Sequence, residues 1–180
     1  MKIIVKNITK ICNGSFQGSG LKNINVPSSV SSIGEYAFDG CVNLVNVTLP
    51  EKLEFLERYA FRNCGFTSFS FPKKVKYLRS EVIVDCQSLE TVQLPTQAWD
   101  NLNNNYVSIN HMFTGCKSLK EIHIPACVLF INGGFEGCNS LKKIHIEDSE
   151  RIFLDNRDYN GKDLSTPLFA DCPLDSVYIG

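Results

Sequence analysis

Apolar residues recur along this chain with a period near 22, inside a phrase that keeps its order. The phrase is AFDGCVNLVNVTLP at 37–50, MFTGCKSLKEIHIP at 112–125 and GFEGCNSLKKIHIE at 134–147. Seven copies align on one apolar anchor position: Phe16, Phe38, Phe61, Ile83, Phe113, Phe135 and Phe169. The steps between anchors are 22, 23, 22, 30, 22 and 34 residues. A period held over most of a chain predicts a repeat architecture.

Each copy predicts two short strands. The first strand carries two apolar residues with one polar residue between them, as in Val47-Thr48-Leu49, so its apolar side chains share one face. A proline such as Pro50 then ends the strand, because proline cannot donate a ladder hydrogen bond. A second apolar pair, such as Leu53 and Leu56, forms the return segment. One unit cannot bury its apolar face alone, so we predict a strand-rich solenoid of about seven rungs in a single domain, residues 1–180.

The repeat resembles a known family. Residues 30–50, VSSIGEYAFDGCVNLVNVTLP, are similar to the BspA-like, or treponemal, type of leucine-rich repeat, and the pattern covers about residues 8–179. The resemblance implies a right-handed solenoid with a parallel sheet on its concave side. It also implies a non-catalytic binding or adhesion protein, often at a cell surface.

Two segments interrupt the period, and we expect both to protrude from the same edge of the solenoid. They lie near 96–105, which contains Trp99, and within 147–163, which contains Tyr159. Loops on one face of a repeat array are often binding loops.

The run Asn156–Gly161 has part of a calcium-loop pattern, but Pro167 stands where a bidentate glutamate belongs. We therefore expect an ordinary turn there and predict no metal site.

Six of the eight cysteines share one column of the repeat, three residues after the anchor: Cys41, Cys64, Cys86, Cys116, Cys138 and Cys172. Neighbouring rungs are close enough for disulfides, but in-register side chains run parallel, which opposes the required dihedral angle. The column therefore predicts buried free thiols that act as small apolar residues. Cys12 and Cys127 lie outside the column.

The outward positions of the first strand in each repeat form the predicted binding surface. They are uncharged in most of the first rungs and charged from the fourth rung onwards. With the two loop aromatics, the candidate partner-binding residues are Glu90, Gln93, Trp99, Lys120, Glu121, His123, Lys142, Lys143, His145, Tyr159 and Tyr178. His123 and His145 share a column on adjacent rungs, so their rings should lie roughly 5 Å apart. No third metal ligand is evident in that column, and we interpret it as part of a solvated binding surface.

Composition narrows the function classes. The 43% hydrophobic and 21% charged residues are typical of a folded globular chain, and a net charge of −1 gives no general attraction to nucleic acid. No apolar run approaches the roughly 18 residues of a membrane helix, and the N-terminal stretch lacks the apolar core of a secretory signal. We therefore expect no nucleic-acid partner and no membrane insertion. The family resemblance implies the cell surface, while the lack of a signal in this stretch leaves an intracellular location open.

No phosphate loop, nucleophile elbow or zinc-protease motif is present, so we predict that the chain is not an enzyme and uses no cofactor. The leading hypothesis is a protein- or glycan-binding, adhesion-type module that acts through the concave face and the edge loops. The alternative is an intracellular structural scaffold subunit packed into a larger assembly. Nothing in the given sequence covers the last strand, Val177 to Gly180, so we expect either that the chain is a piece of a longer array or that this edge meets a partner end to end.

Overall fold

The computed structural model describes residues 8–97, 107–148, 153–155, 168–169 and 171–180. Within these residues it contains short strands joined by turns and no helix. The strands are β1 (Lys10–Ile11), β2 (Asn23–Asn25), β3 (Ser32–Ile33), β4 (Asn46–Thr48), β5 (Phe55–Leu56), β6 (Ser68–Ser70), β7 (Tyr77–Leu78), β8 (Thr91–Gln93), β9 (Val107–Ser108), β10 (Glu121–Ile124), β11 (Val128–Asn132), β12 (Lys143–Ile146), β13 (Phe153–Asp155) and β14 (Ser176–Ile179).

The strands stack in parallel, each one on the equivalent strand of the next repeat. Even-numbered strands pair as β2–β4, β6–β8 and β10–β12–β14, and odd-numbered strands pair as β1–β3–β5–β7 and β9–β11–β13. The register joins equivalent repeat positions, for example Ile24 with Val47 and Ile122 with Ile144. This confirms the predicted parallel leucine-rich-repeat solenoid. The outward side chains of the even-numbered strands form what we call the front face.

A third backbone ladder runs through the anchors themselves. The anchor N–H donates to the carbonyl one residue before the next anchor, as from Phe16 to Ala37 (2.8 Å) and from Phe38 to Ala60 (2.8 Å). Residues two before and two after the anchor adopt left-handed backbone, including Gly18 and Gly40 with φ of 65° and 71°. Glycine takes this conformation at no steric cost, and it bends the chain tightly around the buried ring.

The core contains two stacks of rings in one column, separated by Ile83 and flanked by aliphatic side chains. Ring centroids lie 5.1 Å apart for Phe16–Phe38, 4.9 Å for Phe38–Phe61 and 5.4 Å for Phe113–Phe135. Ile83 replaces phenylalanine in the fourth rung, and Phe66, Phe69 and Phe71 enlarge the core of the third rung. The buried residues form one cluster from Ile11 to Ile146. Offset stacked rings are worth about 0.5–1.5 kcal/mol per pair beyond their area burial.

The column cysteines have a specific role in this stack. Each thiol donates to the anchor carbonyl of the preceding rung: Cys41 to Phe16 (3.0 Å), Cys64 to Phe38 (3.2 Å), Cys86 to Phe61 (3.1 Å), Cys116 to Ile83 (3.2 Å), Cys138 to Phe113 (3.2 Å) and Cys172 to Phe135 (3.3 Å). The sulfur therefore faces a carbonyl oxygen, which explains why a small side chain with a donor recurs at this position. All eight cysteines are free thiols.

Burial of the thiols agrees with the expectation at five of the six column positions. Cys41, Cys64, Cys86, Cys116 and Cys138 are buried, whereas Cys172, in the last rung of the chain, is half-buried. Burial raises the pKa of Cys86 and of Cys138 to about 12, and that of Cys172 to about 11. Cys12 is exposed and Cys127 is half-buried.

We predict that a thiol reagent modifies Cys12 rapidly in the native protein, and Cys127 and Cys172 more slowly. The five buried column thiols should react only after unfolding, because a protonated, buried thiol is a poor nucleophile. Mass spectrometry of timed, quenched samples with peptide mapping measures this order. Rapid labelling of Cys86 before any loss of the strand signal in circular dichroism would contradict it.

Close rung spacing constrains the residue after one column cysteine, Cys64. Gly65, in the third rung, packs so closely on the second rung that an added Cβ would collide with the carbonyl oxygen of Val42. Gly20 holds the same repeat position but has open space around it. We predict that Gly65→Ala lowers the free energy of unfolding by about 1–3 kcal/mol, the range for overpacking, while Gly20→Ala changes it little. Urea unfolding of both variants compares them, and equal effects would contradict the steric explanation.

Candidate functional site

The front face of the last three rungs brings two columns of candidate residues together. β10, β12 and β14 pair in register, so that His123, His145 and Tyr178 form one column and Glu121, Lys143 and Ser176 form the next. Tyr178 is 58% exposed, and the side chain of His123 is 50% exposed. The inward positions between them, Ile122 and Ile144, are buried. Strand alternation thus separates the core from the outward side chains.

An open groove with a volume of about 630 Å³ crosses these rungs. Its polar and aromatic lining comes from Thr91, Glu121, His123, Lys143, His145 and Tyr178. This volume lies within the roughly 300–1,000 Å³ range of ligand-binding clefts. The groove is the feature of the front face best suited to hold a ligand or a partner's side chains.

The two histidines contact each other directly. Their ring centroids lie 4.6 Å apart at an interplanar angle of 83°, close to the expected spacing, and their Nδ1 atoms are 3.0 Å apart. The ring of Tyr178 stands edge-on to His145, with centroids 6.5 Å apart. The column is therefore a continuous ladder of three rings.

Glu147 joins this ladder, although the repeat pattern marks it only as the start of an interrupting segment. Its Oε1 lies 2.7 Å from Nε2 of His123, and its Oε2 accepts a hydrogen bond from the Ala126 N–H at 2.9 Å. The Ala126 N–H first, and His123 second, lower the pKa of the Glu147 carboxyl. One signal was visible in the sequence: Glu147 stands where Pro125 closes the preceding strand.

Charges on this face are balanced between neighbouring rungs. Nζ of Lys120 lies 2.6 Å from Oε2 of Glu90, and Glu121 is in register with Lys143. Lys142 and Asp175 also occupy equivalent positions on adjacent rungs. Surfaces that bind a polyanion such as nucleic acid are predominantly positive, and this one carries both signs. The absence of a nucleic-acid partner stays a prediction.

The front face of the first four rungs is different in character. Asn46 donates its side-chain amide to Asn23 Oδ1 at 2.6 Å, and Ser70 donates its hydroxyl to Oε1 of Gln93 at 3.1 Å. These uncharged side chains satisfy one another along the ladder. Gln93 thus belongs to this hydrogen-bonded set and does not line the groove.

Two candidate residues and one motif lie outside the described residues. They are Trp99, Tyr159 and the Asn156–Gly161 run. Where residues are described, no three His, Cys, Asp or Glu side chains are grouped to hold a metal ion. In that same portion, no helix has the length and hydropathy needed to cross a bilayer.

The repeat pattern and the stacked columns have a counterpart in a family model. The model described as a BspA type leucine-rich repeat region matches residues 9–107 and 101–166, in six copies. The chain belongs to this family. No curated protein matches the chain.

Solved structures share the fold of this BspA-type chain. A leucine-rich repeat protein of T. pallidum, TpLRR, is 26% identical with a TM-score of 0.58, and the match covers 76% of this chain and 62% of that one. A leucine-rich cell surface protein of Faecalibacterium prausnitzii A2-165 is 21% identical with a TM-score of 0.56 over 96% of this chain and 52% of that one. The BspA-type chain thus spans less than two thirds of the length of either protein.

A second polar cluster lies away from the front face and was not anticipated. Tyr36 and Tyr59 stack with centroids 5.1 Å apart, and the guanidinium of Arg62 lies 4.9 Å from the Tyr59 ring centroid. The Tyr59 hydroxyl donates to Glu81 (2.8 Å), which also pairs with Arg58. Both tyrosines have left-handed backbone, with φ of 56° and 59°. Bulky residues rarely adopt this conformation, so the spacing of the repeat alone did not predict where these rings lie.

Asp39 ties this cluster to the turns around the anchors. Its buried carboxylate accepts two hydrogen bonds from Arg62 (2.7 and 2.9 Å) and one from Gln17 (2.9 Å). Burial opposes ionisation, but the hydrogen bonds from Arg62 and Gln17 and the Arg62 charge outweigh it, so the pKa of Asp39 lies below its usual value. The pair links the second and third rungs, and we assign it a structural role.

We predict that Asp39→Asn makes stability less dependent on acid pH. A lowered carboxyl pKa contributes stability that is present above the ordinary value of 3.8 and lost as pH falls through the folded-state value. The wild type should therefore lose free energy of unfolding more steeply than the variant below about pH 4. Urea unfolding across this range measures it, with the exposed Asp148→Asn as control. Equal slopes for all three proteins would contradict the prediction.

Proposed function

We propose that this BspA-type repeat chain is a non-catalytic binding module that holds a protein or glycan partner on the front face of rungs four to seven. The observation that carries the proposal is the exposed ladder of His123, His145 and Tyr178 beside the groove. These side chains contribute little to the core, which the inward columns fill. Aromatic residues flanked by mixed polar groups are common at binding hot spots.

Two further features support this proposal. The groove is open and crosses several rungs, so an extended glycan or a protein loop could contact successive side chains. The family resemblance implies adhesion-type binding and a location at the cell surface. The interrupting segments with Trp99 and Tyr159 would add contacts at the edge of the same face. Balanced charges favour a neutral or mixed-charge partner over a strongly charged one.

The test uses the purified, fluorescently labelled chain on two arrays, one of glycans and one of extracellular protein domains. We expect His123→Ala/His145→Ala/Tyr178→Ala to weaken the specific signal at least tenfold. Removing aromatic side chains that become buried in the complex at a hot spot typically costs more than 1.4 kcal/mol of binding free energy. The array on which the wild-type chain gives a specific signal shows whether the partner is a glycan or a protein.

The matched control is Asn25→Ala/Thr48→Ala/Ser70→Ala, which changes the same outward column in rungs one to three. It should leave binding within about threefold of the wild type, since substitutions outside a hot spot are near neutral. Circular dichroism and thermal melts verify that both variants fold. If the control weakens binding as much as the groove variant, or the groove variant binds normally, the proposed site is wrong.

The alternative, a structural scaffold subunit, is favoured by one observation. Val177 and Ile179 of β14 are 45% and 71% exposed, an apolar surface that a further repeat or another subunit could cover. Concentration-dependent assembly in analytical ultracentrifugation would favour the scaffold, and a monomer at all concentrations would favour the binding module. Cell fractionation adds the compartment.

A further inference from the structure

The strand register sets two imidazole nitrogens facing each other. His123 and His145 are paired across β10 and β12, and their Nδ1 atoms lie 3.0 Å apart. Two nitrogens this close need one hydrogen between them, because two lone pairs would repel and two N–H groups would clash. One imidazole therefore donates its Nδ1–H to the Nδ1 lone pair of the other.

Glu147 decides which nitrogen of His123 carries hydrogen. The Glu147 carboxylate can only accept, so Nε2 of His123 is the N–H donor at 2.7 Å and Nδ1 of neutral His123 is a bare lone pair. The second oxygen of Glu147 is fixed by the Ala126 N–H. A carboxylate that holds the far nitrogen of an imidazole is the usual outer partner of a metal-ligating histidine. His145 then donates its Nδ1–H to His123.

We propose that His123 and His145 bind one divalent transition-metal ion of the Cu²⁺ and Ni²⁺ class through their Nδ1 atoms, with Glu147 as the positioning residue. On binding, the hydrogen on Nδ1 of neutral His145 would move to its Nε2, which frees the Nδ1 lone pair of His145 for the metal. The protein holds both ligating atoms on adjacent strands of the sheet, so little reorganisation is needed before binding.

The spacing favours a right-angled pair of ligands. With metal–nitrogen bonds of about 2.0–2.1 Å, two nitrogens 3.0 Å apart subtend about 95° at the metal. Tetragonal Cu²⁺ and Ni²⁺ sites have angles near 90°, whereas a tetrahedral Zn²⁺ site would need the nitrogens about 3.4 Å apart. The order of affinity should therefore be Cu²⁺, then Ni²⁺, then Zn²⁺.

The remaining coordination positions face the groove. Among the described residues no third His, Cys, Asp or Glu joins the pair at one point. Water or donor atoms of a partner would complete the coordination, so the ion could link the chain to a carboxylate or imidazole of another molecule. The metal site itself does not depend on the proposed binding function, and the two fail separately.

The test exploits the presence of only three histidines, His111, His123 and His145. An untagged chain carrying Cys12→Ser and Cys127→Ser, which removes the exposed thiol and the half-buried thiol outside the column, is titrated with Ni²⁺ at neutral pH. In NMR spectra of the imidazoles, paramagnetic Ni²⁺ should broaden the signals of His123 and His145 and leave those of His111 sharp. Calorimetry should give one ion per chain.

Variants divide the roles. His123→Ala and His145→Ala should each weaken Ni²⁺ binding at least tenfold, while His111→Ala should leave it unchanged. Glu147→Gln should weaken it by about 10–100-fold, the usual effect of losing an outer partner. The electron paramagnetic resonance spectrum of bound Cu²⁺ should still show two nitrogen ligands in Glu147→Gln but one in either single-histidine variant, which separates positioning from direct ligation.

Three results would overturn the proposal. They are broadening that includes His111, an affinity unaffected by His145→Ala, or no broadening with equimolar Ni²⁺. Unchanged affinity and spectra in Glu147→Gln would refute the positioning role. Circular dichroism of each variant shows whether the solenoid is intact, which is expected because the three side chains are not part of the core.

Discussion

The whole structure depends on the hydrogen bonds that tie each anchor to the next rung. The anchor N–H donates forward into the next repeat, and the thiol of that repeat donates back to the anchor carbonyl. A rung that left register would leave these buried groups without partners, at a cost of about 1–3 kcal/mol each. The constraint survives both long steps: Cys116 still reaches Ile83 (3.2 Å), and Cys172 still reaches Phe135 (3.3 Å). The thiol contacts between described rungs therefore persist across both long steps.

Strict register has a consequence for the surface. Because equivalent positions lie one above another, outward side chains form columns whose spacing the backbone sets. The His123–His145 contact follows from this register, and so does the asparagine pair of the first rungs. Since the inward columns supply the core, outward residues can vary in chemistry at small cost to folding. The front face can therefore carry a local binding site although the backbone of the rungs is regular.

The period of the sequence predicted which residues share a column of the solenoid. It did not predict contacts that depend on the conformation of a long side chain. Alternation along the strands identified the inward columns, the outward candidates and the histidine pair, because strand geometry alone places them. It did not show that Glu147 bends back to His123, since that needs a side-chain conformation and a partner on another repeat. The Tyr36–Tyr59 stack was missed for a related reason, since left-handed backbone redirects those rings. Trp99 and Tyr159 stay predictions.

The contrast between the two halves of the front column gives the strongest argument for where function lies. An asparagine side chain both donates and accepts, so Asn46 and Asn23 can satisfy each other along the stack. A neutral imidazole has one donor and one acceptor, and the Glu147 contact uses the donor of His123. The Nδ1 atom of His123 then needs a cation or a hydrogen-bond donor. His145 supplies a donor only in the tautomer that carries its hydrogen on Nδ1. At rung five, within the groove, the column thus changes from side chains that satisfy one another's hydrogen bonds to histidines whose hydrogen bonds require one fixed tautomer.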